Sequence, residues 1–293
     1  MKTADGRRAA GGDKMSKLYI VGTPIGNLGD ITYRAVQTLK EVDFICAEDT
    51  RVTMKLLNHF EIKKPVVSYH EHSDNTAEER ICDRIAAGET AAIVTDAGMP
   101  CISDPGERLV KRCCERGIEV TVVPGPVACA SALALSGLDT SRFSFEGFLS
   151  VTKKQRFSHL AKAAREENTL IFYEAPHKLP GTLQDMLEYF GDRRIALCRE
   201  LTKVHEEVLR TTLSEAVQYY KENKPRGEFV LIIEGAAPEQ AEGALTLEEA
   251  LARVGELAEN GMRAADACRE IAKVSPFSKG ELYSEYLKGQ SNG

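Results

Sequence analysis

Between Lys17 and Gly125, short apolar runs alternate with longer amphipathic stretches. The runs Leu18–Val21, Phe44–Ala47, Val66–Tyr69, Ala91–Thr95 and Val120–Val123 read as strands, and the stretches between them have the length that parallel crossovers need. Helix starts are marked: Asp30 precedes Ile31–Leu39, and Ser73 precedes Thr76–Ala87. Asp104-Pro105 opens Glu107–Arg116, with proline as its first helical residue. Gly88 and Gly117 stand where left-handed caps would close two of these helices. The alternation predicts an α/β domain with a mainly parallel sheet over residues 17–125.

A helix over Ala128–Leu135 follows Gly125-Pro126, and the pattern then changes. Candidate strands are Phe143–Phe148, Thr169–Tyr173, Ile195–Arg199, Glu207–Thr211 and Glu228–Glu234. Candidate helices are Lys154–Arg165, Leu183–Phe190 and Ser214–Glu222. Strands here often follow one another directly, so residues 126–235 are expected to form a second α/β domain with a mixed sheet. Residues 236–245, rich in Gly, Ala and Pro, read as a linker. Residues 246–293 read as a helical appendage of three segments, Thr246–Glu259, Arg263–Val274 and Ser278–Leu287, split by Gly261 and Pro276. Residues 1–16 are polar and Gly/Ala-rich and read as a disordered leader, with Met15 an alternative start.

Composition narrows the class. With 43% hydrophobic and 28% charged residues, the chain suits a soluble globular protein. No apolar run approaches the ~20 residues a membrane crossing needs, so a cytoplasmic protein is expected. The eight cysteines are scattered without a CxxC pair, which points to buried free thiols in a reducing compartment and to no metal site. A net charge of −6 means that any nucleic-acid contact must come from local patches.

The chemistry concentrates at the strand ends. After the five strands of the first domain come GTPIGN (Gly22–Asn27), AEDTR (Ala47–Arg51), YHEH (Tyr69–His72), TDAGMPCISDPG (Thr95–Gly106) and PGPVA (Pro124–Ala128). Ligands of open α/β sheets bind at the carboxyl ends of strands, and loops rich in Gly and Pro bring shaped backbone close to them. Such a pocket suits an adenosine and an amino-acid moiety better than a triphosphate. GxGxxG after the first strand and GxxxxGK[ST] are both missing, which removes the main support for dinucleotide and P-loop sites.

These strings, with LYIVGTPIGNLGDIT, VPGP, EGF, TLIFYEAPHKL, RELTK and GEFVLIIEG, resemble the small-subunit (16S) ribosomal RNA cytidine 2′-O-methyltransferase family of the tetrapyrrole-methylase-like group. The resemblance runs from Lys17 to about Gly235. It departs from the wider group in the first loop, where Ile25-Gly26-Asn27 replaces Pro-Gly-Asp. It implies a two-domain fold with S-adenosyl-L-methionine in the cleft between domains, and usually a homodimer. Carried over by motif, Thr23, Pro24, Asp96, Gly98, Pro100 and Ser103 are expected to wrap the cofactor. Val127, Ala128, Tyr173 and Leu201 are expected to cover its other side. Asp96 has a plainer reading as an Asx-type turn cap.

A ribose hydroxyl is a weak nucleophile, so a hydrogen-bond acceptor or general base should assist methyl transfer. Candidate acceptors are Glu48, Asp49, His70, Glu71, Glu174 and Glu200; candidate cations are Arg51, Arg199 and Lys203. Glu48, Arg51 and His70 are the leading catalytic candidates, although each also reads as a local ion pair or a strand-end residue. Lys153, Lys154, Arg156, His159, Lys162 and Arg165 form a basic run, with Lys153, Lys154, Arg156 and Lys203 as candidate RNA contacts. The run reads equally as the solvated face of an amphipathic helix. The C-terminal helices suit RNA contact, dimerisation or simple packing. A methylase of a tetrapyrrole precursor on the same scaffold, or a noncatalytic ribosome-binding protein, are the alternatives.

Overall fold

The computed structural model describes residues 16–70, 75–237 and 245–291. The expected leader up to Met15, Glu71, His72, the Ser73 cap and most of the expected linker lie outside the described residues. The chain divides into two compact units, with the boundary between Ala236 and Ala237.

The first unit holds two five-stranded sheets. In the first, β1 (Lys17–Val21), β2 (Phe44–Ala47), β3 (Val66–Ser68), β4 (Ala91–Val94) and β5 (Glu119–Val123) lie in the order β3-β2-β4-β1-β5. All its pairings are parallel. β2 and β4 are buried throughout, because helices cover both faces. One face packs Leu39 of α1 (Tyr33–Glu41) and Leu57 of α2 (Thr50–His59) on Ile45 and Val94. The other packs Ile81 and Ile85 of α3 (Asn75–Ala86) and Leu109 of α4 (Glu107–Glu115) on Leu18, Phe44 and Ile93. Each such fully buried side chain contributes about 1.5–3 kcal/mol of transfer free energy.

Adjacent strands β1 and β4 are therefore followed by helices on opposite faces of the sheet. That divergence opens a crevice at their carboxyl ends, the usual ligand position in a doubly wound sheet.

The second sheet runs β6-β7-β10-β8-β9, from β6 (Phe143–Phe148), β7 (Thr169–Glu174), β8 (Arg194–Arg199), β9 (Glu207–Thr212) and β10 (Phe229–Ile233). β6 and β7 are parallel and the other pairs antiparallel, so the expected mixed sheet is present. One face carries α6 (Lys153–Ala163), α7 (Leu179–Phe190) and α8 (Leu213–Glu222). The other carries α5 (Ala128–Ser136) through Cys129, Ala132 and Leu133. A register shift between Phe145 and Gly147 bulges β6, and such bulges re-aim the side chains that follow.

The second unit packs α9 (Leu247–Glu259), α10 (Ala264–Ala272) and α11 (Lys279–Ser291) around Ala250, Val254, Cys268 and Leu282. Thr246 and Glu249 form a capping box at its start.

Three helix starts differ from expectation, α7 beginning at Leu179, one turn before Leu183. Thr32, not Asp30, caps α1, accepting from Ala35 N; Asp30 instead ends a short 3₁₀ turn that Asn27 caps. α4 begins after Gly106 at φ 135°, so Asp104 and Pro105 remain in the preceding loop. Gly88 and Gly117 do take positive φ, 106° and 68°. Of the eight cysteines, Cys46, Cys82, Cys113, Cys129, Cys198 and Cys268 are buried, and all eight are free thiols. No helix among the described residues is long and apolar enough to cross a membrane.

Candidate active site

The loops after β1 and β4 are knitted together before they meet any ligand. Thr23 and Gly98 exchange backbone hydrogen bonds of 2.8 and 3.2 Å. The buried Thr23 hydroxyl donates to the carbonyls of Thr95 and Gly98. A Cβ on Gly22 would lie 2.7 Å from Gly125 Cα, so the loops after β1 and β5 touch backbone to backbone. Only glycine permits that approach.

Beyond this crossing lies a cavity of about 450 Å³, within the usual range for small-ligand sites. From the first sheet it is lined by Ile25 and by the Ala97–Asp104 loop, including Gly98 and Ser103. Val127 and Ala128 come from the start of α5. Phe148, Tyr173 and Glu174 come from the second sheet, and Leu201 from the loop after β8. Tyr173 is fixed there, its hydroxyl accepting from Cys129 N at 3.1 Å and its ring edge-on to Phe145 and Phe148.

Backbone strain gathers at the same place. Among the described residues, five non-glycine residues have positive φ, and only Glu61 lies elsewhere. Cys101 and Ser103 sit in the loop after β4, and Glu200 and Thr202 in the loop after β8. Such conformations cost about 1–3 kcal/mol each and cluster at ligand sites.

Glu48, Asp96 and Asp104 bring three carboxylates close together, with Asp104 in the cavity wall. Thr95 Oγ1 donates to Glu48 Oε2 at 2.6 Å, and Asp96 N approaches the same oxygen at 3.4 Å. Asp49 N donates to Asp96 Oδ1 at 3.1 Å. Partial shielding from solvent, with the charges of Glu48 and Asp49, raises the pKa of Asp96 although the residue as a whole is exposed. Asp104, in the cavity wall, is pushed up to about 6 by burial and by the charge of Glu48, while contact with the Thr95 hydroxyl opposes the shift. Asp49 behaves oppositely: hydrogen bonds from the Arg51 side chain and backbone hold it down to about 2.

The expected ring of alternating charge therefore resolves into separate local groups. Arg51 is bound by Asp49 at 2.6 Å and is 87% exposed. His70 stands exposed at the end of edge strand β3 and, like Glu48 and Arg51, does not line the cavity. Glu174 is buried, accepting from Thr182 Oγ1 and Ala175 N. Arg199 pairs with Glu207, and Lys203 lies 2.8 Å from both Glu200 and Glu228. Of the expected cofactor residues, Gly98, Ser103, Val127, Ala128, Tyr173 and Leu201 line the cavity. Thr23 and the buried Pro100 shape the loops behind it, with Pro24 half-buried and Asp96 exposed. Asp104 escapes sequence reasoning because Asp before Pro-Gly reads as a turn or cap.

In the basic run, Lys153, Lys154, Lys162 and Arg165 are exposed. Arg156 is turned inward, 13% exposed, pairing with Asp185 at 2.5 Å and tying α6 to α7. His159 lies 2.7 Å from Glu146. The phosphate-contact expectation therefore does not suit Arg156, whose guanidinium is already held.

Residues 17–217 match the family model of tetrapyrrole (corrin/porphyrin) methylases. A protein of Synechocystis named Ribosomal RNA small subunit methyltransferase I is 45% identical over 95% of this chain and 100% of its own length. The proteins of that name from Thermotoga maritima and Bacillus subtilis are 50% and 42% identical, over 99% and 96% of their lengths. They align with 75% and 94% of this chain.

The chain belongs to the ribosomal RNA small subunit methyltransferase I family.

It is a methyltransferase, with S-adenosyl-L-methionine as methyl donor. Solved structures share the fold at lower identity. A cobalt precorrin-4 methyltransferase aligns with TM-score 0.58 at 16% identity, over 77% of this chain and 97% of its own. A diphthine synthase aligns with TM-score 0.57 at 15% identity, over 75% and 90%.

The cavity suits the methyl donor of this family. Ile25, Val127, Ala128, Leu201 and Val230 offer apolar walls for adenosine, and strained loop backbone offers polar groups. No group of three His, Cys, Asp or Glu side chains among the described residues is placed to hold a metal ion.

Proposed function

We propose that this methyltransferase modifies the ribose 2′-hydroxyl of a cytidine in 16S ribosomal RNA, acting on the small ribosomal subunit as a cytoplasmic homodimer. One observation carries the reading. A ligand-sized cavity lies at the diverging crevice of a parallel sheet, in a chain 42–50% identical to proteins named for methylating small-subunit ribosomal RNA.

The bound cofactor supplies an electrophilic methyl group on a sulfonium. Gly98, Ser103, Val127, Ala128, Tyr173 and Leu201 hold it, while Thr23, Pro24, Asp96 and Pro100 keep the surrounding loops in shape. These walls exclude water and fix the direction from which a hydroxyl approaches, the main catalytic need of an in-line transfer. Glu48 acts on the reaction through Thr95 and Asp96, and Arg51 engages a phosphate at the mouth. Lys153 and Lys154 lend positive charge to RNA docking, which an acidic protein must confine to patches. Lys203 shapes the β8 loop as a partner of Glu200, and His70 is the second candidate acceptor.

The test is tritiated-methyl transfer to small-subunit particles, naked 16S RNA and uroporphyrinogen, followed by nuclease digestion. Label recovered as 2′-O-methylcytidine from the particle is the expected result. Label on uroporphyrinogen alone would establish a tetrapyrrole methylase. No label on any substrate would leave the ribosome-binding reading standing.

A further inference from the structure

The cavity wall carries one carboxylate that no sequence pattern singled out. Asp104 lines the cavity from the strained loop after β4, between Ser103 at φ 60° and the Pro105–Gly106 corner. Around it stand Glu48 at the end of β2, Thr95 and Asp96 at the end of β4, Cys101 in its own loop, and Tyr173 of β7. No basic side chain among the described residues forms an ion pair with it. Glu48 and Asp96 are tied to backbone and hydroxyl donors, and neither lines the cavity.

We propose that Asp104 is the general base, accepting the proton of the attacking ribose hydroxyl, and that Glu48 positions and tunes it. The assignment rests on the ribose-methylation reading above. As the ribose O–H bond breaks, its proton passes to an Asp104 oxygen. The oxygen's electron pair forms the bond to the transferred methyl, and the pair of the broken sulfur–carbon bond stays on sulfur. A base must be ionised at working pH yet basic enough to accept. Burial and the neighbouring carboxylate charges bring Asp104, at about 6, into that range. Ordinary carboxyls sit near 4. Tyr173 is an unsuitable acceptor, because burial raises its phenol further from ionisation.

The pH dependence of single-turnover methylation of the particle tests this at saturating cofactor. The wild type is expected to show a rate rising with unit slope to a plateau, with a single inflection on the acid side of neutrality. Asp104→Asn should lower the plateau by about 100-fold or more, with RNA and cofactor affinities within threefold. Glu48→Gln removes a negative neighbour, so it should move the inflection to lower pH. Carboxyl-carbon resonances of aspartate-labelled free protein supply a readout independent of activity. One carboxyl should titrate near pH 6, vanish in Asp104→Asn and shift down in Glu48→Gln. An active wild type beside an Asp104→Asn enzyme within threefold of it overturns the assignment alone. An inflection unmoved by Glu48→Gln does the same. A wild type that methylates no ribose overturns the underlying reading as well.

Discussion

The loops after β4 and after β8 face the same cavity and are built alike, yet their carboxylates are in opposite states. Both hold two non-glycine residues at positive φ: Cys101 and Ser103 in one, Glu200 and Thr202 in the other. In the β8 loop, Lys203 lies 2.8 Å from Glu200, and Glu228 N also donates to that carboxylate. The Glu200 pKa falls, chiefly through the hydrogen bond from Lys203. In the β4 loop, Asp104 faces Glu48 and Asp96, and its pKa rises to about 6. A matched carboxylate makes a rigid wall. A carboxylate held among like charges stores the capacity to accept a proton.

The contrast predicts stability effects of opposite sign. Lys203→Met leaves Glu200, 19% exposed, without its counterion, which should cost about 1–3 kcal/mol at neutral pH. Glu200 has a lowered folded pKa, so its pairing stabilises the fold above the ordinary 4.5 and is lost as pH falls through the folded value. Urea unfolding at pH 7 and at pH 4 should therefore show the deficit shrinking in acid. An equal deficit at both values would mean that Lys203 acts by packing alone.

Asp104→Asn should do the reverse and stabilise by about 1 kcal/mol at pH 7, allowing for solvent screening. Its folded pKa is raised, so the protonated form contributes stability below 3.8 that is lost as pH rises through about 6. Thermal unfolding of the two proteins should separate above pH 6 and converge toward pH 4. Destabilisation at pH 7 would show that the ionised carboxylate supports the loop, against the comparison.

The smallest effect concerns the exposed cations of α6. Lys153→Ala with Lys154→Ala should weaken particle binding a few-fold and lower the log–log salt slope by roughly two. Arg156→Ala should instead reduce stability, because its partner is Asp185. An unchanged salt slope in the double variant would make α6 a solvated face.

Much of this was readable from the chain because strand ends are local. Three Gly/Pro-rich loops, after the first, fourth and fifth apolar runs, pointed to a ligand pocket, and Val127, Ala128 and Tyr173 line the cavity found there. What depends on strand order was hidden. Glu48 and Asp96 meet because β2 and β4 are neighbours, although a further strand and two helices separate them in sequence. Without that order, Glu48 paired on paper with Arg51, whereas the arginine's partner is Asp49. His70 looked equivalent to Glu48 until β3 proved to be the edge strand. Asp104 was masked by local chemistry, since Asp-Pro-Gly is a good turn whatever the carboxylate faces.

The central claim is that the cavity between the two sheets holds the methyl donor, and calorimetry with S-adenosylhomocysteine in EDTA tests it most directly. Ala128 is half-buried in the cavity wall at the start of α5, so Ala128→Trp should fill the space while thermal unfolding confirms an intact fold. The account predicts binding in the micromolar range or tighter for the wild type, little change in Asp104→Asn, and loss of most of the heat in Ala128→Trp. Undiminished binding by a folded Ala128→Trp protein would contradict it.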